Sequence, residues 1–395
     1  MIKVLRIINR FNLGGPTYNV AYLSKYLPAD FETLLVGGEI DDSELGSDFI
    51  LEELGLKPVI IPEMRRAINI GDDIKAYKKI KKLIKEFKPD VVHTHASKAG
   101  TLGRLAAASC GVPVILHTFH GHVFHSYFNK IKTGLFKNIE RVLSKKSTQI
   151  IAISEKQKQE LGIDHKIAPL DKIKVIPLGF DLLKFRKYSE VKRKQFRADY
   201  NVAEDEIAIG IIGRLVPVKN HPLFLEAISL VANETSKKIK VFIIGDGEDK
   251  EVLVQKAGQL GLTTCVSNFK DSNKMLIFTS WITEIDYVNA GLDIVALSSL
   301  NEGTPVSLIE AQAASNPIVT TNVGGIGNIV LEGETALLSE VGDVQAYAKN
   351  LLCLLENDDL RAKMTQKGWE FVQHRFSAER LANDMAILYR ELLNK

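Results

Sequence analysis

The chain has 395 residues, 45% of them hydrophobic and 25% charged, with a formal net charge of +3; this is the length of two ordinary domains and the composition of a soluble globular protein. No window approaches the eighteen uninterrupted apolar residues of a membrane span, and the N-terminal "IKVLRII" is short, broken by Arg6 and lacks a small-residue cleavage site, so a cytoplasmic location is expected. Cys110, Cys265 and Cys353 are scattered outside any CxxC or Cys/His spacing, which argues against a disulfide framework and a zinc site, and they read as buried free thiols.

The charge is unevenly divided. Residues 1–185 hold 28 Lys and Arg against 20 Asp and Glu, the remainder 23 against 28, so the halves carry +8 and −5. Such a split is expected of two domains that face different partners.

Short β-rich runs alternate with amphipathic helical stretches, the pattern of βαβ units and parallel sheets. The first strand, 2–9, ends in "NLGGPTYNV", where Gly14 and Gly15 let the backbone approach a ligand and Pro16 opens a helix whose free N–H groups suit an anion. A tight βα connection alone would use the same residues. Further strands are expected at 33–37 and 58–61. The stretch "IKAYKKIKKLIKEFK" (74–88) then carries seven lysines around an apolar stripe of Ile74, Tyr77, Ile80, Leu83, Ile84 and Phe87.

Strands at 90–94 and 113–118 bring a histidine cluster, since six of the nine histidines lie between His93 and His125. His93 and His95 share one face by the period of two. A metal site is the weaker reading of "LHTFHGHVFH", which offers no Cys or carboxylate. His122, His125 and Lys98 read as acceptor-side groups. After a second basic amphipathic helix, "KIKTGLFKNIERVLSKK" (130–146), and a strand at 148–153, the segment 176–200 loses the strand-helix rhythm and marks the boundary between domains at 1–180 and 200–376.

The second domain restarts at strand 206–212, followed by "GRLVPVKNHP". Arg214 and Lys219 lie on a loop leading to Asn220, a candidate N-cap, and two cations beside a helix N-terminus can hold a diphosphate without a metal; ordinary solvated loop cations are the alternative. Strand 239–244 ends at Gly245 and Gly247, without the third glycine and the acid of a dinucleotide fingerprint, so a nicotinamide enzyme is not expected. Strands follow at 265–268, 293–297, 316–320 and 336–339. The strand at 293–297 runs into "NEGTPVSLIE", with Glu302 in the loop, Pro305 in the first turn of a helix and Glu310 in its second. Both carboxylates can face a ligand whose phosphates rest on the N–H groups of Gly303, Thr304 and Val306 between them. Acids beside phosphate are tolerable when sugar hydroxyl pairs occupy them, one for a transferred sugar and one for a ribose. Taken alone, the stretch also fits an acid favourable to the helix dipole plus an exposed second-turn Glu. From 343 the pattern is helical, and a last helix, 377–395, is expected to pack back on the first domain.

The combination of "GRLVPVKN", "IIGDGED", "SSLNEGTPVSLIEAQAASNPIVTTNVGG" and the N-terminal Gly-Gly turn closely resembles the retaining nucleotide-sugar glycosyltransferases of the GT-B fold, in particular family 4 with its Glu-x7-Glu motif. The resemblance implies two Rossmann-like doubly wound domains facing each other across a cleft. It implies that Glu302 holds donor-sugar hydroxyls, Glu310 the ribose, and Arg214 with Lys219 the diphosphate, with Gly15 against the phosphates. His120, in Thr118-Phe119-His120, matches the family's Thr-x-His and would touch the donor sugar. Where the family follows its glycine pair with Pro and Glu, this chain has Gly327 and Asn328, and no role passes to Asn328.

The expected activity is therefore transfer of a sugar from a nucleoside-diphosphate sugar, with uridine as the base, to a hydroxyl. The acceptor is expected to be a saccharide or lipid-linked saccharide in cell-envelope, capsule or O-antigen synthesis, with no metal, no cofactor and no nucleic acid. If the lysines of 74–88 act beyond solvation, they draw the +8 half to an anionic membrane. A UDP-N-acetylglucosamine 2-epimerase-like enzyme and a non-catalytic sugar-nucleotide or glycan-binding protein are the competing readings; the first does not need the Glu-x7-Glu stretch.

Overall fold

The computed structural model describes residues 1–12, 14–40, 46–65, 67, 69–120 and 130–394. They form two compact units, residues 1–181 with 375–395, and residues 182–374. Each is a doubly wound α/β unit built on one parallel sheet of seven strands.

The strands of the first unit are β1 (Ile2–Arg10), β2 (Phe31–Gly38), β3 (Val59–Ile61), β4 (Val91–His95), β5 (Val114–Phe119), β6 (Gln149–Ala152) and β7 (Ile173–Val175), in the order β3-β2-β1-β4-β5-β6-β7. Its helices are α1 (Gly15–Tyr26), α2 (Asp48–Glu53), α3 (Ile70–Phe87), α4 (Ser97–Ser109), α5 (Lys130–Lys146) and α6 (Glu155–Gln159). The central strands are apolar on both faces because helices cover both faces of the sheet. Ala76, Ile80 and Ile84 turn the buried stripe of α3 onto Leu5, Ile7 and Val92. That apolar stripe is core, and Ile74, at 50% exposure, stands outside it.

The second unit begins with α7 (Ser189–Asp199). Its strands are β8 (Glu206–Ile212), β9 (Lys238–Ile244), β10 (Thr264–Cys265), β11 (Leu276–Ser280), β12 (Ile294–Leu297), β13 (Ile318–Thr321) and β14 (Ala336–Ser339), in the order β10-β11-β9-β8-β12-β13-β14. Between and after them lie α8 (His221–Glu234), α9 (Lys250–Gln259), α10 (Ile285–Gly291), α11 (Val306–Ala313), α12 (Val344–Glu356) and α13 (Asp358–Arg375). The last helix, α14 (Ala378–Leu393), is part of the first unit, where Leu381, Met385, Ala386, Leu388, Tyr389 and Leu392 pack with Val4, Val91, Leu116 and Ile151.

Two strands escape the hydrophobic pattern. β7 has three residues inside a charged stretch, and β11 offers only the short run Leu276–Phe278 although it lies between β9 and β10. The expected strand 265–268 shrinks to Thr264–Cys265 at the sheet edge. The cysteines are free thiols, but they are not buried as expected: Cys110 and Cys265 are half-buried and Cys353 is exposed, because α12 turns Tyr347, Ala348, Leu351, Leu354 and Leu355 inward. No helix among the described residues is long and apolar enough to cross a membrane.

Candidate functional site

In a doubly wound sheet the ligand crevice lies outside the carboxyl ends of the strands where their order reverses. In the second unit that point falls between β8 and β12, so the loop after β8, with Arg214 and Lys219, borders the loop after β12, with Glu302. The two loops are tied together. The Leu300 amide donates to the Val218 carbonyl at 2.8 Å, and the Ser298 hydroxyl donates to the carbonyls of Lys219 and Asn220 at 3.0 Å each.

Lys219 ends a 3-10 turn, Pro217–Lys219, with its aliphatic stem beside Gly213, where an added Cβ would sit 3.6 Å from Cε. Its ammonium reaches Glu302 Oε1 at 2.6 Å, and the Ser299 hydroxyl donates to the same oxygen at 2.6 Å. Glu302 Oε2 has no protein donor among the described residues. Arg214 is exposed, and its guanidinium has no partner there either. Asn220 does stand at the N-cap of α8, but in the left-handed region at φ 49°, and its side chain makes no capping bond. The expected Asn cap is thus corrected: the residue has left-handed backbone where a capping side chain needs extended backbone, and Pro222 in the first turn has no N–H to offer.

α11 starts at Val306, with Pro305 at its N-cap and no side-chain cap. The amides of the Gly303–Val306 turn therefore lead into an uncapped helix N-terminus that suits an anion. Glu310, in the second turn, is half-buried, and no donor among the described residues reaches its carboxylate. Burial pushes its carboxyl up to about 7; Lys184 opposes the rise and Asp286 adds to it.

Two glycine pairs hold these loops from behind. A Cβ at Gly324 would lie 1.9 Å from the Glu302 carbonyl oxygen and one at Gly325 would lie 1.7 Å from that of Gly303, while the Gly325 amide donates to the Glu302 carbonyl at 2.9 Å. Gly245 and Gly247 do the same for the other loop, with virtual Cβ atoms 1.9 Å from the Gly213 oxygen and 2.2 Å from that of Leu215. The glycines of "IIGDGED" and "NVGG" thus admit a neighbouring loop, a role the sequence reading did not assign. Ser299 and Lys184 were missed as well, since nothing in their local sequence relates them to the carboxylates. Asn328 closes a 3-10 turn, Ile326–Asn328, and is exposed.

In the first unit the order reverses between β1 and β4. Gly14 is the N-cap of α1, and a Cβ at Gly15 would meet nothing within 4 Å, so the start of this helix is open. The rings of His93 and His95 lie 4.2 Å apart, as the period of two requires. His93 Nδ1 is 2.6 Å from the Tyr389 hydroxyl and 3.1 Å from Arg6 Nη1, and His93 Nε2 is 2.7 Å from Thr118 Oγ1. His95 Nδ1 meets His120 Nε2 at 2.9 Å. Burial holds His93, His95 and His117 well below the usual imidazole range and brings His120 down to about 4. Burial thus favours the neutral form of all four. Lys98 pairs with Asp73 at 2.6 Å and donates to the carbonyls of Arg65 and Ala67, which commits its ammonium to the fold. His122 and His125 lie outside the described residues. Among those described, no three His, Cys, Asp or Glu side chains group as metal ligands.

Comparison with known proteins follows the same division. Residues 192–371 match the family model "Glycosyl transferases group 1", and residues 13–183 match "Glycosyltransferase Family 4". The chain is 28% identical over 342 residues to the UDP-Gal:alpha-D-GlcNAc-diphosphoundecaprenol alpha-1,3-galactosyltransferase of Escherichia coli, covering 86% of this chain and 84% of that one. It is 26% identical over 338 residues to the capsular polysaccharide biosynthesis glycosyltransferase CapM of Staphylococcus aureus, covering 85% of each. A glycosyltransferase crystal structure from Rickettsia africae superposes with a TM-score of 0.80 at 20% identity, over 100% of this chain and 99% of that one.

Proposed function

The chain belongs to the glycosyltransferases, and on that premise we propose that it moves a sugar from a UDP-sugar to a hydroxyl of a lipid-linked saccharide, with retention at the anomeric carbon and without a metal. The observation that carries the donor assignment is the arrangement around Glu302 and Glu310. One carboxylate shares an oxygen between Lys219 and Ser299, and the other, eight residues on, is desolvated with no donor among the described residues, on either side of an uncapped helix start.

A diphosphate resting on the Gly303–Val306 amides takes the Lys219 ammonium and the Arg214 guanidinium as its counter-charges. Glu302 then turns its free oxygen to hydroxyls of the transferred sugar, and Glu310 accepts from the ribose. Lys219 is held beside Glu302 before reaction, so it stabilises charge developing on the leaving diphosphate without reorganisation. The bond from the anomeric carbon to the phosphate oxygen breaks as the acceptor oxygen bonds to that carbon from the same face. The acceptor proton passes to the departing phosphate oxygen, so no protein nucleophile is needed. His120, neutral, is assigned to the transferred sugar.

The relatives favour the acceptor class: one acts on a diphosphoundecaprenol-linked sugar and another serves capsule synthesis by their names. A further feature fits a membrane-borne acceptor. On α5, Leu135 and Val142 are exposed by 60% and 55%, seven residues apart on one face, near exposed Lys145 and Lys146. α3 adds exposed lysines over a core-facing stripe, an electrostatic contribution only.

The test is a transfer assay with a panel of UDP-sugars and a polyprenyl-diphosphate-linked sugar, followed by NMR of the product. One UDP-sugar giving a product with the donor's anomeric configuration supports the reading; an inverted product removes the retaining mechanism, and no transfer from any UDP-sugar removes the donor class.

A further inference from the structure

The imidazole layer of the first unit is bonded more tightly than one sugar-contacting histidine requires. His95 on β4 is fully buried, and its ring stacks 5.2 Å from that of His120 with the 2.9 Å Nδ1 to Nε2 bond between them. His95 Nε2 and His120 Nδ1 are both buried, and neither has a partner among the described residues. Next to His95, Ala96 adopts φ 64°, ψ 162°, a region only glycine enters without strain, so the backbone here is held by its surroundings.

Arg6, fully buried, lies against His93, and among the described residues its Nε and Nη2 have no partner and no carboxylate is bonded to it. Arg6 Nη1 donates to His93 Nδ1 and to the Tyr389 hydroxyl. A guanidinium only donates, so His93 Nδ1 is the bare nitrogen of a neutral ring and its Nε2–H faces Thr118. The neutral state of the next two rings restricts them as well. If His95 Nδ1 donates to His120 Nε2, both rings carry their proton on Nδ1; if His120 Nε2 donates, both carry it on Nε2. The bond forces one tautomer on the two.

We propose that His95 is a positioning residue for glycosyl transfer: its bond to His120 Nε2 holds the ring of His120 and couples the tautomers of the two rings. Arg6 and Tyr389, acting on His93, brace the layer on which His95 stacks. This inference rests on the role given above to His120.

Two measurements test it. In kinetics, His95→Ala lowers kcat about 10–100-fold, the scale of loss when a reacting group is misplaced by about an ångström, while UDP affinity stays within about twofold. His95→Asn, whose amide stands where Nδ1 was, restores most of kcat, and His95→Leu, which fills the space without a polar group, does not. In the His120→Ala background His95→Ala costs nothing further. Equal losses for Asn and Leu, or independent losses at the two positions, overturn the proposal. If His120→Ala itself leaves turnover intact, the role of His120 falls first. The second measurement needs no variant: long-range proton–nitrogen NMR of the [15N]histidine-labelled protein at pH 6.5 should find His95 and His120 neutral and in the same tautomer. Different tautomers, or a protonated His120, overturn the proposal whatever the enzyme transfers.

Discussion

Replacing Glu310 by Gln should stabilise the free protein and weaken its ligand. Burial raises this carboxyl from 4.5 to about 7, and at about 1.36 kcal/mol per pH unit the ionised form costs the fold up to about 3 kcal/mol above pH 7. Partial exposure brings the expected figure to ~1–3 kcal/mol. The folded value lies above the unfolded one, so this group's favourable share is fully present below pH 4.5 and is lost as pH rises through 7. Glutamine keeps the shape without the charge. At about 2–4 °C per kcal/mol for a domain of this size, Glu310→Gln should melt several degrees above the parent at pH 8, with the gap narrowing steadily toward pH 5. In the same variant UDP should bind roughly 10-fold or more weakly, because charge-assisted bonds to the ribose hydroxyls, worth about 1.5–3 kcal/mol, are lost. Scanning calorimetry at several pH values and titration with UDP read both effects. Equal melting at pH 8 or a gap independent of pH would refute the desolvated carboxylate, and unchanged affinity would refute the assignment of Glu310 to the ribose.

Gly325→Ala puts a methyl group 1.7 Å from the Gly303 oxygen; the loop carrying Glu302 must move, and activity should be lost together with at least about 1–3 kcal/mol of stability in a urea melt, whereas Gly327→Ala, with open space at its Cβ, should be tolerated. Glu302→Ala should cut turnover more than UDP affinity, since UDP lacks the sugar; parallel losses in both would move Glu302 to the nucleotide. Activity should survive excess EDTA, and full loss restored by magnesium or manganese would show that Arg214 and Lys219 do not carry the diphosphate charge. In liposome sedimentation, binding should need anionic lipid, fade with salt, and fall on Leu135→Ser with Val142→Ser and on charge-removing changes at Lys78, Lys81, Lys82 and Lys85; protein left in the supernatant at low salt would remove the membrane contact.

The strand-helix rhythm and the carboxyl-end motifs were legible because each rests on local pattern: apolar runs between helical stretches, Pro305 beside a helix start, Gly14-Gly15 after a first strand. β7 and β11 were not, since strands with only two or three apolar residues are held by their neighbours in the sheet more than by their own sequence. The same limit applies to the site. Glu302 and Glu310 could be picked out by spacing, but the Lys219 ammonium lies on Glu302 only because β8 and β12 are adjacent at the sheet reversal, 83 positions apart in the chain. The bond between His95 and His120 likewise depends on the β4–β5 register, in which His95 pairs with Thr118. The lysines of α3 illustrate the converse: the sequence displayed them plainly, and the fold uses the stripe between them as ordinary core.

The central claim is that the second unit binds a nucleoside diphosphate through Lys219 beside Glu302, without a metal. Isothermal titration of UDP in the presence of EDTA tests it directly, with the parent protein and Lys219→Ala side by side. The account predicts binding in the range of about 1 μM to 1 mM typical of enzyme substrates, weakened roughly 10-fold or more in the variant by loss of a charge-assisted contact. No heat of binding with the parent protein, or the same affinity in both, would contradict it.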